Sequence, residues 1–265
     1  MPGRHCREVP HARSGGSAAL AVIPARLAST RLPGKVLADV GGRPLVQWVY
    51  ERARQATRID RVVVATDAAE VEAACRAFGA EVFVSTTPHA CGTDRVAEVA
   101  RALGAADDAL VLNIQADEPR IDPALLDALV DLLASTGVPL ASAMTPLSSV
   151  EGFLDPHTVK VVCDARGDAL YFSRAPIPWP RDAALAGAWP SGLAAWKHLG
   201  VYGYRGDALQ RWAGAPRHPL EITESLEQLR ALALGLPMRM LAWSTDALSV
   251  DTPADLARLR SDASL

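Results

Sequence analysis

At 265 residues with 49% hydrophobic content, the chain can bury the core of one large α/β domain or two small ones. Lys and Arg number 27 against 30 Asp and Glu, a net charge of -3. That balance excludes the basic surface a long nucleic acid demands and points to a small-molecule partner. No run approaches the roughly 20 apolar residues of a membrane-spanning helix. The four cysteines, Cys6, Cys75, Cys91 and Cys163, have neither paired nor metal-ligand spacing, so a reducing, cytoplasmic compartment without disulfides or structural zinc is expected.

Residues 1–17 carry Arg4, Arg7 and Arg13 ahead of a short apolar run. Pro24, Arg26 and Arg31 then stand where a signal peptide would have its small-residue cleavage site. This segment is expected to be a flexible extension, with residues 18–265 forming one domain. Valine- and isoleucine-rich strands are predicted at Ala19 to Pro24, Arg61 to Ala65, Glu81 to Val84 and Ala109 to Ile114. Helical spacing covers Pro44 to Ala56, Ala68 to Phe78, Asp94 to Leu103 and Pro123 to Ala134. Such βα repetition predicts an α/β fold with a mostly parallel sheet covered by helices. Beyond Pro139 the strands Leu140 to Thr145, Val159 to Cys163, Ala169 to Phe172 and His198 to Tyr204 look like antiparallel additions, with a Pro- and Trp-rich excursion between the last two and a dimerisation or sugar-site insertion expected around 155–205. A helix over Leu220 to Leu234, a strand over Met238 to Trp243 and a final helix capped at Thr252-Pro253 complete the series.

In an open parallel sheet, ligands bind outside the carboxyl ends of the strands. The loop after the first strand, PARLASTRLPGK, holds Arg26, Arg31 and Lys35 together with Ser29. The loop after the second holds Thr66 and Asp67, and that after the fourth reads QADEP, Gln115 to Pro119. The first loop is no P-loop, because it lacks the leading glycine and Val36 stands where a magnesium-binding hydroxyl would be; no GxGxxG fingerprint is present either. Arginine forks and a lysine can instead grip a triphosphate with side chains. The alternative, solvated charges on a surface loop, stays open at this level. Asp117 could likewise be a turn residue, and Asp251 a helix-start residue.

PARLASTRLPGKVL, VVVATD at 62–67, CGTDRVAEVA at 91–100, NIQADEP at 113–119, HLGVYGYR at 198–205, LEQLRAL at 226–232 and VDTPADL at 250–256 occur in one order from about Ala19 to the end. Together they resemble the 3-deoxy-manno-octulosonate (Kdo) cytidylyltransferases of lipopolysaccharide assembly. The resemblance implies a Rossmann-like, GT-A-like nucleotidyltransferase fold. It also implies a reaction in which the anomeric hydroxyl of Kdo attacks the α-phosphorus of CTP, giving CMP-Kdo and pyrophosphate. By the same resemblance, Asp117 and Asp251 are magnesium ligands, and Arg26, Arg31, Lys35 and Asp117 carry catalysis. CTP falls to Arg26, Ser29, Arg31, Lys35, Thr66, Asp67, Cys91, Gly92, Thr93 and Gln115. Kdo falls to Gln115, Arg174, His198, Tyr202, Glu227 and Gln228. Taken singly, Tyr202 and His198 could be core residues, Glu227 a helix-face residue and Arg95 a salt-bridging one.

Two residues depart from the family pattern. Ala116 replaces the usual glycine of QGDEP, adding a methyl where the backbone could approach a ligand closely. Cys91 replaces a serine, a weaker hydrogen-bond donor for the nucleotide. A cytidylyltransferase for 8-amino-Kdo or a sialic acid, and a non-catalytic nucleotide-binding relative, are the alternatives; the latter would lack the loop cations or the paired carboxylates. A homodimer is implied, with Ala175 to Trp196 as a candidate interface or a lid on the sugar site.

Overall fold

The computed structural model describes residues 19–28, 32–147, 149–185, 195–244 and 249–262. β1 (Ala19–Pro24) leads through a loop and a 3-10 turn (Lys35–Leu37) to the short strands β2 (Asp39–Val40) and β3 (Arg43–Pro44). Then come α1 (Leu45–Ala53), β4 (Ile59–Thr66), α2 (Ala69–Ala77), β5 (Glu81–Val84), α3 (Gly92–Ala102), β6 (Leu110–Asn113) and α4 (Pro123–Thr136). The second half supplies β7 (Leu140–Pro146), α5 (Val150–Leu154), β8 (Lys160–Cys163), β9 (Ala169–Ser173), α6 (Arg181–Leu185) and β10 (Trp196–Arg205). It ends with α7 (Gly206–Ala213), α8 (Pro219–Glu224), α9 (Gln228–Ala233), β11 (Met238–Ala242) and α10 (Pro253–Ser261).

The main sheet runs in the order β11-β7-β10-β6-β1-β4-β5. β1 is parallel to β4 and β6, β4 to β5, and β11 to β7, whereas β10 lies antiparallel between β6 and β7. The expected mixed, mostly parallel sheet is therefore present. β8 pairs antiparallel with the start of β10 and with β9, which makes a hairpin off the main sheet between residues 160 and 173.

Strand residues alternate between two helical layers. Ala21, Ile23, Val62 and Val64 pack with α1, α2 and α4 on one face; Val22, Val63 and Ala65 pack with α3, α7 and α9 on the other. A parallel strand covered on both faces has no solvent side, which is why VVV reads as an unbroken apolar run. β10 tolerates close cover because it carries Gly203, where a Cβ would sit 2.7 Å from Leu133 Cδ1 of α4. α4 starts with Asp122 accepting from the Ala124 amide and stops at Gly137, whose φ of 67° is left-handed.

Three sequence expectations need correction. The helix expected over Leu220 to Leu234 is two short helices, because Ser225 adopts φ 53° and ψ 48° and ends α8. α3 begins at Gly92, two residues before its expected start, with Cys91 in the extended N-cap position. α7 was not anticipated, although Leu209 and Trp212 give it a buried face. Residues 1–17 lie outside the described residues.

The chain leaves β1 for β4 on one side and returns to β6 on the other, a topological switch that opens a crevice at the carboxyl ends of these strands. The loops after β1, β4 and β6 converge there.

Candidate active site

The crevice holds two cavities. One, about 780 Å³, is lined by Arg26, Gly34, Asp67, Pro88, His89 and Arg95 among others. The second, about 360 Å³, is lined by Gln115, Asp117, Arg174, His198, Tyr202, Glu227, Gln228 and Asp251 among others. All six residues expected to bind the sugar acid thus share one wall system, although they come from four parts of the chain. Ser29 and Arg31 lie outside the described residues.

Lys35 sits at the second cavity's charged end. Its ammonium binds Asp117 Oδ2 and lies 3.1 Å from Asp251 Oδ1. Burial works against its charge, but the two carboxylates outweigh it and hold its pKa above the usual lysine value. The loops bearing those carboxylates are also joined directly, Val250 N donating to Asp117 O at 2.9 Å. Asp117 and Asp251 therefore converge on a single cation, with hard oxygen donors of the kind magnesium selects. Among the described residues no third His, Cys, Asp or Glu completes such a group.

In the larger cavity, Arg95 is 1% exposed and grips Asp67 with two contacts, 3.1 and 2.5 Å. That fork holds the Asp67 carboxyl below the usual range. It leaves Arg95 Nε, and one η nitrogen of Arg26, buried without a protein partner. Arg26 and Arg95 both line this cavity, and guanidinium groups are suited to anionic oxygens. Asp67 thus serves as the counter-charge of Arg95. Thr66 and Thr93 are fully buried. Thr66 Oγ1 accepts from Ala68 N at 3.2 Å, and Thr93 Oγ1 is 3.1 Å from Tyr204 OH, so both hydroxyls are engaged within the protein.

The departures at 116 and 91 have physical readings. Ala116 is buried in the core, and it is not among the residues with positive φ, so its backbone has no need of glycine. Cys91 makes no side-chain cap to α3. The carboxylate of Glu227 approaches that helix end instead, accepting from Thr93 N at 3.4 Å. A negative group at a helix N-terminus meets its unsatisfied N–H groups and dipole. Burial nevertheless raises the Glu227 pKa. Arg230 Nη2 lies 3.5 Å from Cys91 Sγ and is held by Glu221 at 2.8 Å, binding α8, α9 and the start of α3 together. Glu227 is thus shared between the sugar-side cavity and the nucleotide-side loop.

His198, Tyr202 and Gln228 form a directed chain. The single proton of Ser142 goes to Val201 O at 2.7 Å, so its oxygen accepts from His198 Nε2 at 2.8 Å. His198 Nδ1 is then the acceptor for Gln228 Nε2 at 3.5 Å, and Gln228 Oε1 accepts from Tyr202 OH at 3.2 Å. With its proton committed, the Tyr202 oxygen stands at the cavity wall as an acceptor. Arg174 is occupied differently from expectation. It donates to the carbonyls of Glu224 at 2.7 Å, Pro156 at 3.0 Å and Ser225 at 3.4 Å, capping the end of α8 where Ser225 breaks it. Its guanidinium lines the cavity with most of its donors already used.

His89, Pro88 and Glu118 line the cavities yet were not singled out from the sequence. Glu118 stood within QADEP, and His89 lay two residues before Cys91; neither type is diagnostic without its neighbours.

The sequence pattern of the cytidylyltransferase family matches residues 20–238. A 3-deoxy-manno-octulosonate cytidylyltransferase of Syntrophotalea carbinolica is 47% identical over 244 residues, 91% of this chain and 96% of that protein. One from Marinobacter nauticus is 48% identical over 248 residues, 91% and 95% of the two chains. The solved CMP:2-keto-3-deoxy-manno-octonic acid synthetase complexed with CTP superposes with a TM-score of 0.84 at 42% identity, covering 92% of this chain and 98% of that one. 4-Diphosphocytidyl-2C-methyl-D-erythritol synthase, at 16% identity and a TM-score of 0.62, shares the fold alone.

Burial lowers the pKa of His198 from 6.5 to about 3, so the folded protein keeps it neutral while the unfolded chain protonates below 6.5. The unfolded state then binds the extra proton, and acid favours unfolding. Wild-type stability is expected to fall by up to about 1.4 kcal/mol per pH unit from this residue as pH drops from 6.5 toward 3. Urea midpoints of wild type and His198→Gln, measured between pH 4 and 7, check this: the variant should show the shallower pH dependence.

Proposed function

The chain belongs to the 3-deoxy-manno-octulosonate cytidylyltransferase family, and from that membership we propose how its two cavities divide the reaction. The protein is a nucleotidyltransferase that transfers CMP from CTP to Kdo, giving CMP-Kdo and pyrophosphate. CTP occupies the Arg26–Asp67–Arg95 cavity, with its phosphates directed toward Lys35, and Kdo occupies the cavity of His198, Tyr202 and Gln228. The observation that carries this division is the placement of Lys35, Asp117 and Asp251 at one end of the sugar-side cavity, with the Arg26 loop leading to them.

The anomeric oxygen of Kdo forms a new bond to the α-phosphorus, the α–β phosphoanhydride bond breaks, and the hydroxyl proton passes to solvent. Such transfers need alignment and charge neutralisation instead of a protein nucleophile. Arg26 supplies a fixed charge-assisted donor and Lys35 a mobile one. Tyr202 accepts a substrate hydroxyl, and Gln115 and Gln228 exchange hydrogen bonds with others. By the family resemblance, Arg31 and Ser29 are assigned to CTP as well.

Magnesium is proposed as the cofactor, held by Asp117 and Asp251, which already share one cation. When bound it would neutralise charge on the phosphates, a role that the hard oxygen donors of Asp117 and Asp251 suit. A homodimer is also proposed. β9 is an edge strand of its hairpin carrying Leu170, 61% exposed, and Trp179 follows at 58% exposed. Large apolar groups beside a free edge are natural interface material. Trp189, in the expected interface segment, lies outside the described residues. No helix among the described residues is long and apolar enough to cross a membrane. A cytoplasmic location is proposed from the free Cys75, Cys91 and Cys163.

Pyrophosphate release from CTP, tested against Kdo, 8-amino-Kdo and a sialic acid, is expected to be fastest with Kdo; a faster reaction with another acid would reassign the sugar-side cavity. Asp117→Asn and Asp251→Asn should each lower turnover at limiting magnesium by at least about tenfold with an unchanged far-UV spectrum, since each removes a charged oxygen donor. Gln228→Ala should raise the KM for Kdo by roughly 10-fold or more, because it strips Tyr202 and His198 of a buried partner. Its CTP affinity by calorimetry should stay near that of wild type. Light scattering is expected to give twice the 28.1 kDa chain mass.

A further inference from the structure

The nucleotide-side cavity has one wall that none of the loop cations builds. After β5, the segment Ser85 to Cys91 crosses to the start of α3 and places Pro88 and His89 opposite Arg26 and Gly34. A connection of this length needs ties to hold a wall in place. Its first is backbone, Ser85 N to Thr66 O at 2.8 Å. The middle of the segment is tied by one side chain, Glu98 of α3. Thr87 Oγ1 lies 3.2 Å from Glu98 Oε1, and His89 Nε2 lies 2.7 Å from Glu98 Oε2. The His89 and Glu98 side chains are 11% and 21% exposed, so the pair is largely screened from water.

Glu98 follows Arg95 by three residues and so lies on the same face of α3. From that face, Arg95 fixes the loop after β4 through Asp67, and Glu98 fixes the loop after β5 through Thr87 and His89. A rigid helix thereby sets the spacing of two cavity walls. Burial alone would raise the Glu98 pKa, but Ser85, His89 and Thr87 outweigh it and hold the carboxyl below the usual range, anionic at neutral pH.

We infer that Glu98 is a positioning residue for the nucleotide: by bracing Thr87 and His89 it holds the Pro88–His89 wall against bound CTP, without itself lining the cavity. This rests on the reading of that cavity as the CTP site. Removing the brace acts on the bound nucleotide and leaves the sugar-side cavity, on the far side of Lys35, untouched. A residue serving stability alone would instead lower the unfolding temperature and leave the binding constants of the folded protein unchanged.

The test is steady-state kinetics and calorimetry on the full chain with Glu98→Gln, His89→Asn and the double variant. Glu98→Gln is expected to raise the KM and the calorimetric Kd for CTP about tenfold while kcat and the KM for Kdo stay within about threefold. The double variant should bind CTP no more weakly than the worse single variant, because both remove the same brace. Independent, multiplicative losses in the double variant, or an unchanged CTP affinity in Glu98→Gln, overturn the inference. If wild type shows no calorimetric CTP binding while Glu98→Gln keeps its thermal stability, the assignment of the cavity fails, and the bracing role fails with it. If Glu98→Gln unfolds, Thr87→Ala, which removes only the lighter strut, is read in the same way: a raised KM for CTP supports the brace and an unchanged one overturns it.

Discussion

One ammonium group, that of Lys35, is shared by two carboxylates from distant loops, and the working geometry of the crevice depends on that sharing. Two carboxylates brought together without a cation would repel and raise one another's pKa. The lysine makes their approach favourable, and a half-buried lysine in turn needs them to stay charged. Its position comes from the turn at Pro33-Gly34, where Gly34 has φ 68° and its amide reaches back to Leu27 O at 3.1 Å. The loop after β1 is folded onto itself so that its last cation points at the loops after β6 and β11. The same arrangement has the composition of a metal and phosphate site, since the groups that balance charge in the free protein are those a polyanionic substrate and its cation would engage.

The sugar-side cavity is built on a different constraint, the satisfaction of buried polar groups. Ser142, His198, Gln228 and Tyr202 form a chain whose proton directions are set from its buried end, where Ser142 must donate to a backbone carbonyl. Each member is oriented by the one behind it. Turning the Ser142 proton to His198 instead would leave the Ser142 and Val201 oxygens facing each other as two acceptors, so the cavity presents a fixed pattern of acceptors and donors before any substrate arrives. The break at Ser225 serves the same end. A continuous helix from α8 into α9 would carry Glu227 and Gln228 around its axis with the regular helical turn. The left-handed residue resets the direction of the chain, and Arg174 satisfies the carbonyls that the break releases.

α3 joins the two halves. Its first turn is approached by Glu227 from the sugar side, its middle holds Arg95 and Glu98 toward the nucleotide side, and its inner face packs Val96, Ala97, Val99 and Ala100 into the core. The replacement of serine by Cys91 at its N-cap is therefore absorbed, because the capping charge comes from another helix. The alanine at 116 is absorbed for another reason: its backbone is not left-handed and its methyl fills core space.

Much of this was legible from the chain alone. Strand and helix positions through α4 followed from apolar period, since burial of one face or both is a property of each segment by itself. The three loops at the strand ends, with their cations and carboxylates, were legible for the same reason, as was the family. The sequence could not say which charge neutralises which. Lys35 meets partners 82 and 216 residues away, and Asp67 pairs with an arginine 28 residues on. Nor could it show that Arg174 spends its donors on carbonyls, that Glu227 reaches the N-terminus of α3, or that α8 and α9 part at Ser225. Periodicity reports what a segment buries, a quantity summed residue by residue. A hydrogen bond or an ion pair is a property of two groups, and only the folded chain decides which two meet.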